Sequence, residues 1–325
     1  RYQQANRNKK KGTNDPKAYD QYIAEHPVCP AEATLQVSSN LFDISSLQEQ
    51  YNKVKANKLH AIGTAGRLYY AKDNKIKFEP DGDARPILRF PHRKEDNLEG
   101  AIVLYEGPYR NQEGQTPHNL YLVCHDPYGQ NQSADSSSLG AAYVIKRINN
   151  ISKPDDLIVA SYVGRPHTQD EYNKNLFMLA DYYNAKIGFE NDRGAVIQYA
   201  KQHRKLHKLQ EEFEMLDKKE LRSRNVKRNY GMHTTEARKR QGELYIRDWL
   251  NAVRSEDEGS TVLNLHKIYD LALLQELIKF NHKGNFDRVM ALMVGMYHTR
   301  ELYNAEVKEI LEDNASNDWF DRNYS

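Results

Sequence analysis

The sequence predicts an α/β fold, a mixed sheet flanked by helices. Three observations carry that expectation. Asn119–His125, Leu139–Arg147 and Asp156–Val163 are apolar, β-rich runs in close succession. A helix with a clear start follows, because Thr168-Gln169-Asp170-Glu171 has capping-box spacing. Lys186-Ile187-Gly188-Phe189-Glu190 then reads as a short strand that ends on an acid, and helical patterns dominate from Ala195 onward.

In chain order, residues 1–15 are polar and basic, with Lys9-Lys10-Lys11 and no apolar anchor; they are expected to be disordered. From Asp15 to about Asn57 the pattern is largely helical. Tyr19, Tyr22 and Ile23 share one face, and Leu47, Tyr51 and Val54 another. His26-Pro27-Val28-Cys29-Pro30-Ala31-Glu32-Ala33 forms a stiff connector between them. Residues 1–60 therefore read as a linker left from an upstream region.

A β-rich lead-in spans Gly63–Tyr109. Its strand-like runs are Arg67–Tyr70, Lys75–Phe78, Pro86–Phe90 and Ala101–Tyr105. Tyr172, Leu176, Leu179, Ala180 and Tyr183 line one face of the helix that Thr168 starts. Residues 201–228 are dense in charge and read as an insertion reaching to residue 232. Helices are expected over Ala237–Asn251 and His266–Phe280, with a loop over Ser255–Ser260 between them. Asp287 opens the last strong helix, where Met290, Met293 and Met296 are core filler. One domain over residues 61–310 and a loose tail over 311–325 complete the division.

Bulk properties narrow the function classes. The 325 residues are 39% hydrophobic and 28% charged, with net charge +2, so any affinity for nucleic acid must come from local patches. Two cysteines, Cys29 and Cys124, make neither a disulfide framework nor a cysteine-rich zinc site, which suits a reducing cytosol. No apolar run reaches membrane-span length and no signal peptide is visible. No phosphate-loop motif is present, so ATP turnover by this chain alone is not expected. Arg1 stands first, as in a fragment or a processed product.

Three close strands, a helix, a strand and further helices match a ribonuclease H-like core. In that layout the ends of the first and fourth strands and a late helix converge on one sheet edge. The acids at those places are Asp126, Glu190 and Asp287, separated by 64 and 97 residues, so only the fold can join them. Singly, each has a plain explanation: Asp126 before Pro127 as a turn former, the other two as charges favouring a helix start. Gathered together, three carboxylates repel unless cations sit between them. Two Mg²⁺ or Mn²⁺ ions suit their hard oxygens.

At this level of detail the chain resembles the C-terminal nuclease portion of a large terminase, the DNA-packaging motor of tailed double-stranded DNA phages. The stretches that carry the resemblance begin with His26-Pro27 through Ala33, His125-Asp126-Pro127-Tyr128-Gly129 and Ser138-Leu139-Gly140-Ala141. They continue with Tyr162-Val163-Gly164-Arg165-Pro166, and with Tyr182-Tyr183-Asn184-Ala185 leading into Phe189-Glu190-Asn191-Asp192-Arg193-Gly194, the most specific. Tyr230-Gly231 before Thr234-Thr235, and Leu273–Leu277 before Asn285-Phe286-Asp287-Arg288, complete the match. The resemblance implies a two-metal endonuclease that cuts concatemeric phage DNA, with Asp126, Glu190 and Asp287 as its acids. It also implies a portal and a small terminase subunit as partners, and a place in the host cytoplasm rather than in the mature virion. No second acid adjoins Asp287, so Asp135 and Asp192 are candidates to assist. Lys201, Arg204, Lys205 and Lys208 are the candidate phosphate contacts. The alternatives are another ribonuclease H-like nuclease of resolvase or transposase type, and a non-catalytic DNA- or portal-docking module.

Overall fold

The computed structural model describes residues 40–73, 75–93, 95–129, 138–147, 156–191, 195–212, 230–257, 260–281 and 284–303. Seven strands form one sheet: β1 Thr64–Tyr70, β2 Ile76–Pro80, β3 Ala101–Leu104, β4 Tyr121–Asp126, β5 Gly140–Lys146, β6 Leu157–Gly164 and β7 Lys186–Phe189. Their order is β2-β1-β3-β6-β5-β4-β7. The β4–β7 pair is parallel and every other pair in that sheet is antiparallel. Three antiparallel strands, with a fourth laid parallel to the first of them, are the ribonuclease H-like order expected above.

Alternation along the central strands gives the sheet two apolar faces. Leu122, Cys124, Tyr143 and Ile145 join one core cluster; Tyr121, Val123, Ala142 and Val144 join the other. Helices α2 Gln169–Tyr182 and α3 Ala195–Gln202 cover the second face through Tyr172, Leu176, Phe177 and Tyr199. The first face is covered by α1 Ile44–Ala56, α4 Glu236–Leu250, α5 Leu271–Lys279 and α6, residues 287–303.

Capping fixes where these helices begin. Thr168 accepts from the Glu171 amide at 3.2 Å. Asp270 accepts from the amides of Ala272 and Leu273 at 2.9 and 3.1 Å. The helix expected over His266–Phe280 is therefore divided: a short 3₁₀ turn spans Asn264–Lys267, and α5 starts only after Asp270. Of the loop expected over Ser255–Ser260, Ser255–Asp257 belong to β8 Val253–Asp257 and Ser260 opens β9 Ser260–Leu263, which pairs antiparallel with it; residues 258 and 259 lie outside the described residues. Pro86–Phe90, expected as a strand, is irregular. Pro86 and Pro91 have no N–H for a ladder, and the segment instead bonds side chains, Ile87 O to Arg288 and Phe90 N to Gln275.

Residues 40–56, read from sequence as part of a linker, pack on α5. Asn40 donates to the Leu277 and Ile278 carbonyls, Gln50 to those of His266 and Ile268, and Phe42 lies against Phe280. Helix α6 approaches the sheet very closely. A Cβ on Gly295 would stand 2.7 Å from Ile145 and 2.9 Å from Cys124, and one on Gly188 would stand 2.8 Å from the His298 ring. Glycines on both surfaces let the backbones meet there.

Among the described residues, His125 and His298 are buried in these layers. His125 gives one ring nitrogen to Ala141 O at 3.0 Å and stacks on Tyr172. His298 pairs with Gln210 at 2.9 Å. Burial pushes His125 down to about 4, and burial with Arg147 and Lys186 nearby pushes His298 down to about 3. In the unfolded chain both protonate near 6.5. Their stabilising contribution is full above pH 6.5 and drains as pH falls toward about 4 and about 3, because the unfolded state then binds more protons. Between pH 7 and 4.5 each should cost roughly 2–3 kcal/mol. Urea unfolding across that range should show the loss, and His298→Gln should reduce the pH slope by about one proton. An unchanged slope would show that His298 is charged in the fold.

Candidate functional site

One edge of the sheet carries Asp126 and Glu190. β4, β6 and β7 all run toward it, since β6 is antiparallel to β5 and β5 to β4. Asp126 is the last residue of β4 and is 8% exposed. Glu190 directly follows β7, and its amide donates to His125 O at 3.2 Å. The parallel register pairs Cys124 with Gly188 and His125 with Phe189, which sets Asp126 beside Glu190. Cys124 and Gly188 both meet α6, so alternation turns Asp126 and Glu190 to that same face.

Asp287, the first residue of α6, closes the group. Its Oδ2 accepts from the Leu139 amide at 2.8 Å and from Asn285 at 3.1 Å, and its Oδ1 accepts from the Ser138 hydroxyl at 3.1 Å. Leu139 lies two residues before Ala141, the β5 partner of Asp126. Burial raises the Asp287 carboxyl, opposed by the Leu139 and Ser138 donors and by Arg288. Behind it, Glu276 accepts from the amides of Arg288 and Val289 at 2.9 and 3.2 Å and pairs with the Arg288 guanidinium at 2.9 Å. That carboxylate caps α6 from below and fixes where Asp287 stands.

Glu190 is held from its other side. Met232 pairs with it as an isolated parallel bridge, and the Met232 amide donates to Phe189 O at 2.8 Å. Gly231 makes this possible with φ +76, a conformation that favours glycine, at a point where a Cβ would stand 2.8 Å from Phe189 O.

The donor set of Asp126, Glu190 and Asp287 is all carboxylate oxygen, which fits a hard divalent cation rather than a soft one. Asp126 and Glu190 stand at adjacent ends of the parallel pair β4–β7. Asp287 is tied to three donors. Among the described residues, no group of three or more His, Cys, Asp and Glu stands at metal-binding spacing. Asp135 and Asp192 lie outside the described residues.

The four basic candidates lie elsewhere. Lys205 bonds Asp181 at 2.7 Å and the Tyr70 hydroxyl at 3.1 Å, and Lys208 pairs with Asp181 at 3.0 Å. Asp181 is near the end of α2, whose first residue, Gln169, reaches the Tyr128 carbonyl beside the acids. Twelve residues of helix separate them, roughly 18 Å. Lys201 and Arg204 are exposed in the same region. The structure thus sets the four apart from the acid edge and gives two of them a carboxylate partner. Lys205→Glu should lower stability by roughly 1 kcal/mol, because it places a second acid against Asp181. Lys201→Glu with Arg204→Glu should leave the melting temperature unchanged, so that a fall in DNA affinity in that pair alone reports phosphate contact. Equal melting temperatures for both variants would show that the Asp181 pair is not formed.

Sequence reasoning missed Ser138, Leu139 and Asn285 as the group that holds Asp287, and Glu276 as the cap beneath it. No local pattern marks a backbone amide as a carboxylate donor. The Asp287-Arg288 pair, with Glu276 one α5 turn from that helix's end, was the only available hint.

The fold and edge define an α/β protein with ribonuclease H-like strand order and two acids, Asp126 and Glu190, at the ends of its parallel pair. Neither a protein-family model nor a curated protein sequence matches the chain. Among solved structures, it is similar to the crystal structure of the large terminase nuclease from thermophilic phage G20c with bound zinc, at 14% identity and TM-score 0.36, over 64% of this chain and 91% of that one. It is also similar to the same nuclease with bound magnesium, at 13% identity and TM-score 0.38, over 65% and 92%.

Proposed function

We propose that this chain is a metal-dependent endonuclease for double-stranded DNA, with the large-terminase role of cutting concatemeric phage DNA during packaging. One observation carries the reading: Asp126 and Glu190 stand side by side on the parallel pair β4–β7, with Asp287 opening the helix packed over them. The sequence resemblance around the same three acids supports the packaging role. It also supports a portal and a small terminase subunit as partners, and action in the host cytoplasm. Among the described residues no helix is long and apolar enough to cross a membrane.

Asp126 and Glu190 would hold a divalent ion between adjacent strand ends, and Asp287 would complete the negative site from the helix side. A pair of Mg²⁺ or Mn²⁺ ions held there would supply water activation and charge stabilisation at the leaving 3′ oxygen. The chain's own task is to fix the carboxylates. The β4–β5 and β4–β7 ladders hold Asp126, the Met232 bridge holds Glu190, and Leu139 with Ser138 holds Asp287. Sites on rigid strand ends keep that geometry better than sites on loops.

A second reading draws on the three donors at Asp287: a DNA- or portal-docking module whose acids are structural. Plasmid nicking in Mg²⁺, Mn²⁺ and EDTA separates the two. Metal-dependent nicking that EDTA stops is expected; DNA binding without nicking under any metal would favour the docking module.

A further inference from the structure

We propose that Arg165 is a phosphate-contacting residue of the acid edge, binding a phosphodiester of the nucleic-acid substrate beside Asp126 and Asp287. The inference rests on the nuclease reading and adds a residue that reading does not use. β6 ends at Gly164, so Arg165 is the first residue beyond that strand, at the edge to which β4 and β7 also run. Its amide donates to Leu98 O at 2.5 Å, which fixes the backbone there.

The side chain is directed by both acid-bearing segments. Arg165 Nη1 donates to the Ser138 carbonyl at 3.1 Å, and Ser138 gives its hydroxyl to Asp287. The guanidinium carbon lies 5.4 Å from the centroid of Tyr128, two residues beyond Asp126. Tyr128 is a rigid platform: 3% exposed, edge-on to Tyr172, with its carbonyl bonded to Gln169. Its buried hydroxyl has no hydrogen-bond partner among the described residues, so the ring is not placed there by its phenol. What the ring offers is a face for the cation.

The electrostatics give the arrangement a purpose. Three carboxylates at one edge repel a polyanion, and a fixed cation at the same edge offsets that repulsion where the backbone must approach. A guanidinium laid on an aromatic face presents planar N–H donors, which match two phosphate oxygens at once. Arg165 is half-buried, pre-ordered yet open to solvent on one side. The basic residues 201–208 lie near the other end of α2 and cannot serve there.

The test measures duplex-DNA binding against salt in Ca²⁺, with nicking in Mn²⁺ measured separately, for the wild type, Arg165→Gln and Arg165→Lys. Arg165→Gln should flatten the slope of log K against log salt by about one and weaken binding about tenfold. Arg165→Lys should keep the slope, because it keeps the charge, yet nick at least tenfold more slowly, because it loses the planar fork. A folded Arg165→Gln with wild-type slope and affinity would overturn the proposal and leave Arg165 as a clasp on the Ser138 carbonyl. If Arg165→Gln does not fold, Arg165→Lys decides: wild-type nicking by that variant overturns the proposal. A wild type that binds DNA but never nicks would defeat the nuclease reading, and the salt slope would still judge the phosphate contact.

Discussion

Asp126→Asn is expected to abolish metal-dependent nicking, by about a thousandfold or more, in a protein that remains folded. The amide preserves the shape of the side chain and leaves the β4–β5 and β4–β7 backbone ladders untouched. What it removes is a negative charge and a hard oxygen. A carboxylate that positions a divalent ion supports several kcal/mol of transition-state charge stabilisation, and roughly 4 kcal/mol is a thousandfold in rate. Glu190→Gln should behave the same way, because Glu190 stands next to Asp126 on the parallel strand. Asp287 is the sharper case. Its Oδ2 accepts from Leu139 and Asn285 while its Oδ1 accepts from a hydroxyl. An Asn can keep its carbonyl oxygen at the Oδ2 position and donate its amide to Ser138, whose hydroxyl both donates and accepts. Asp287→Asn should therefore fold, whereas Asp287→Ala would strand the buried Leu139 amide at a cost of roughly 1–3 kcal/mol. Melting curves with and without Mn²⁺, alongside nicking, test all three positions. Metal should raise the melting temperature of the wild type more than that of the amide variants. Near-wild-type cleavage by any one of them removes that residue from the site.

Much of the fold around this edge was legible in the sequence, and for physical reasons. Apolar runs at Tyr121–Asp126 and Lys186–Phe189 are buried strands, and a strand stops where a carboxylate, a proline or a turn follows. Thr168 announced α2 through its cap. The order of β4 to β7 followed from short connections and one helical crossover; that β1, β2 and β3 extend the same sheet beside β6 did not. Other features left no local trace. The β8–β9 strands are short and lack apolar alternation, so backbone pairing defines them. The packing of residues 40–56 on α5 and the turn before it depends on Asn40 and Gln50 reaching carbonyls more than two hundred residues away. The ties on Asp287 come from Ser138 and Leu139, 149 and 148 residues distant, so only the folded chain reveals them.

The buried pair beneath the site should dominate stability. Arg288→Met is expected to destabilise the protein by roughly 3–5 kcal/mol, because burial already pushes the Glu276 carboxyl up to about 7 and, without the guanidinium, it must stand as an uncompensated charge or take up a proton on folding. Both side chains are 1% exposed, and the pair is 2.9 Å apart. Arg288 also donates to Ile87 O at 2.9 Å, which anchors the irregular segment between β2 and β3. The double substitution carries the sharper expectation. In the wild type, Glu276→Gln turns an amide group against the guanidinium or against the amides of Arg288 and Val289. With Met at 288 that conflict is gone, and the Gln carbonyl still caps both amides. Glu276→Gln should thus cost less in the Arg288→Met background than in the wild type, with a coupling of roughly 2 kcal/mol or more. Glu276→Met in the same background should not recover stability, because two buried helix-start amides would lose their acceptor. Urea unfolding of the four-member cycle measures the coupling. An Arg288→Met cost below about 1 kcal/mol would mean that water reaches the pair and that the polar floor under Asp287 is not closed.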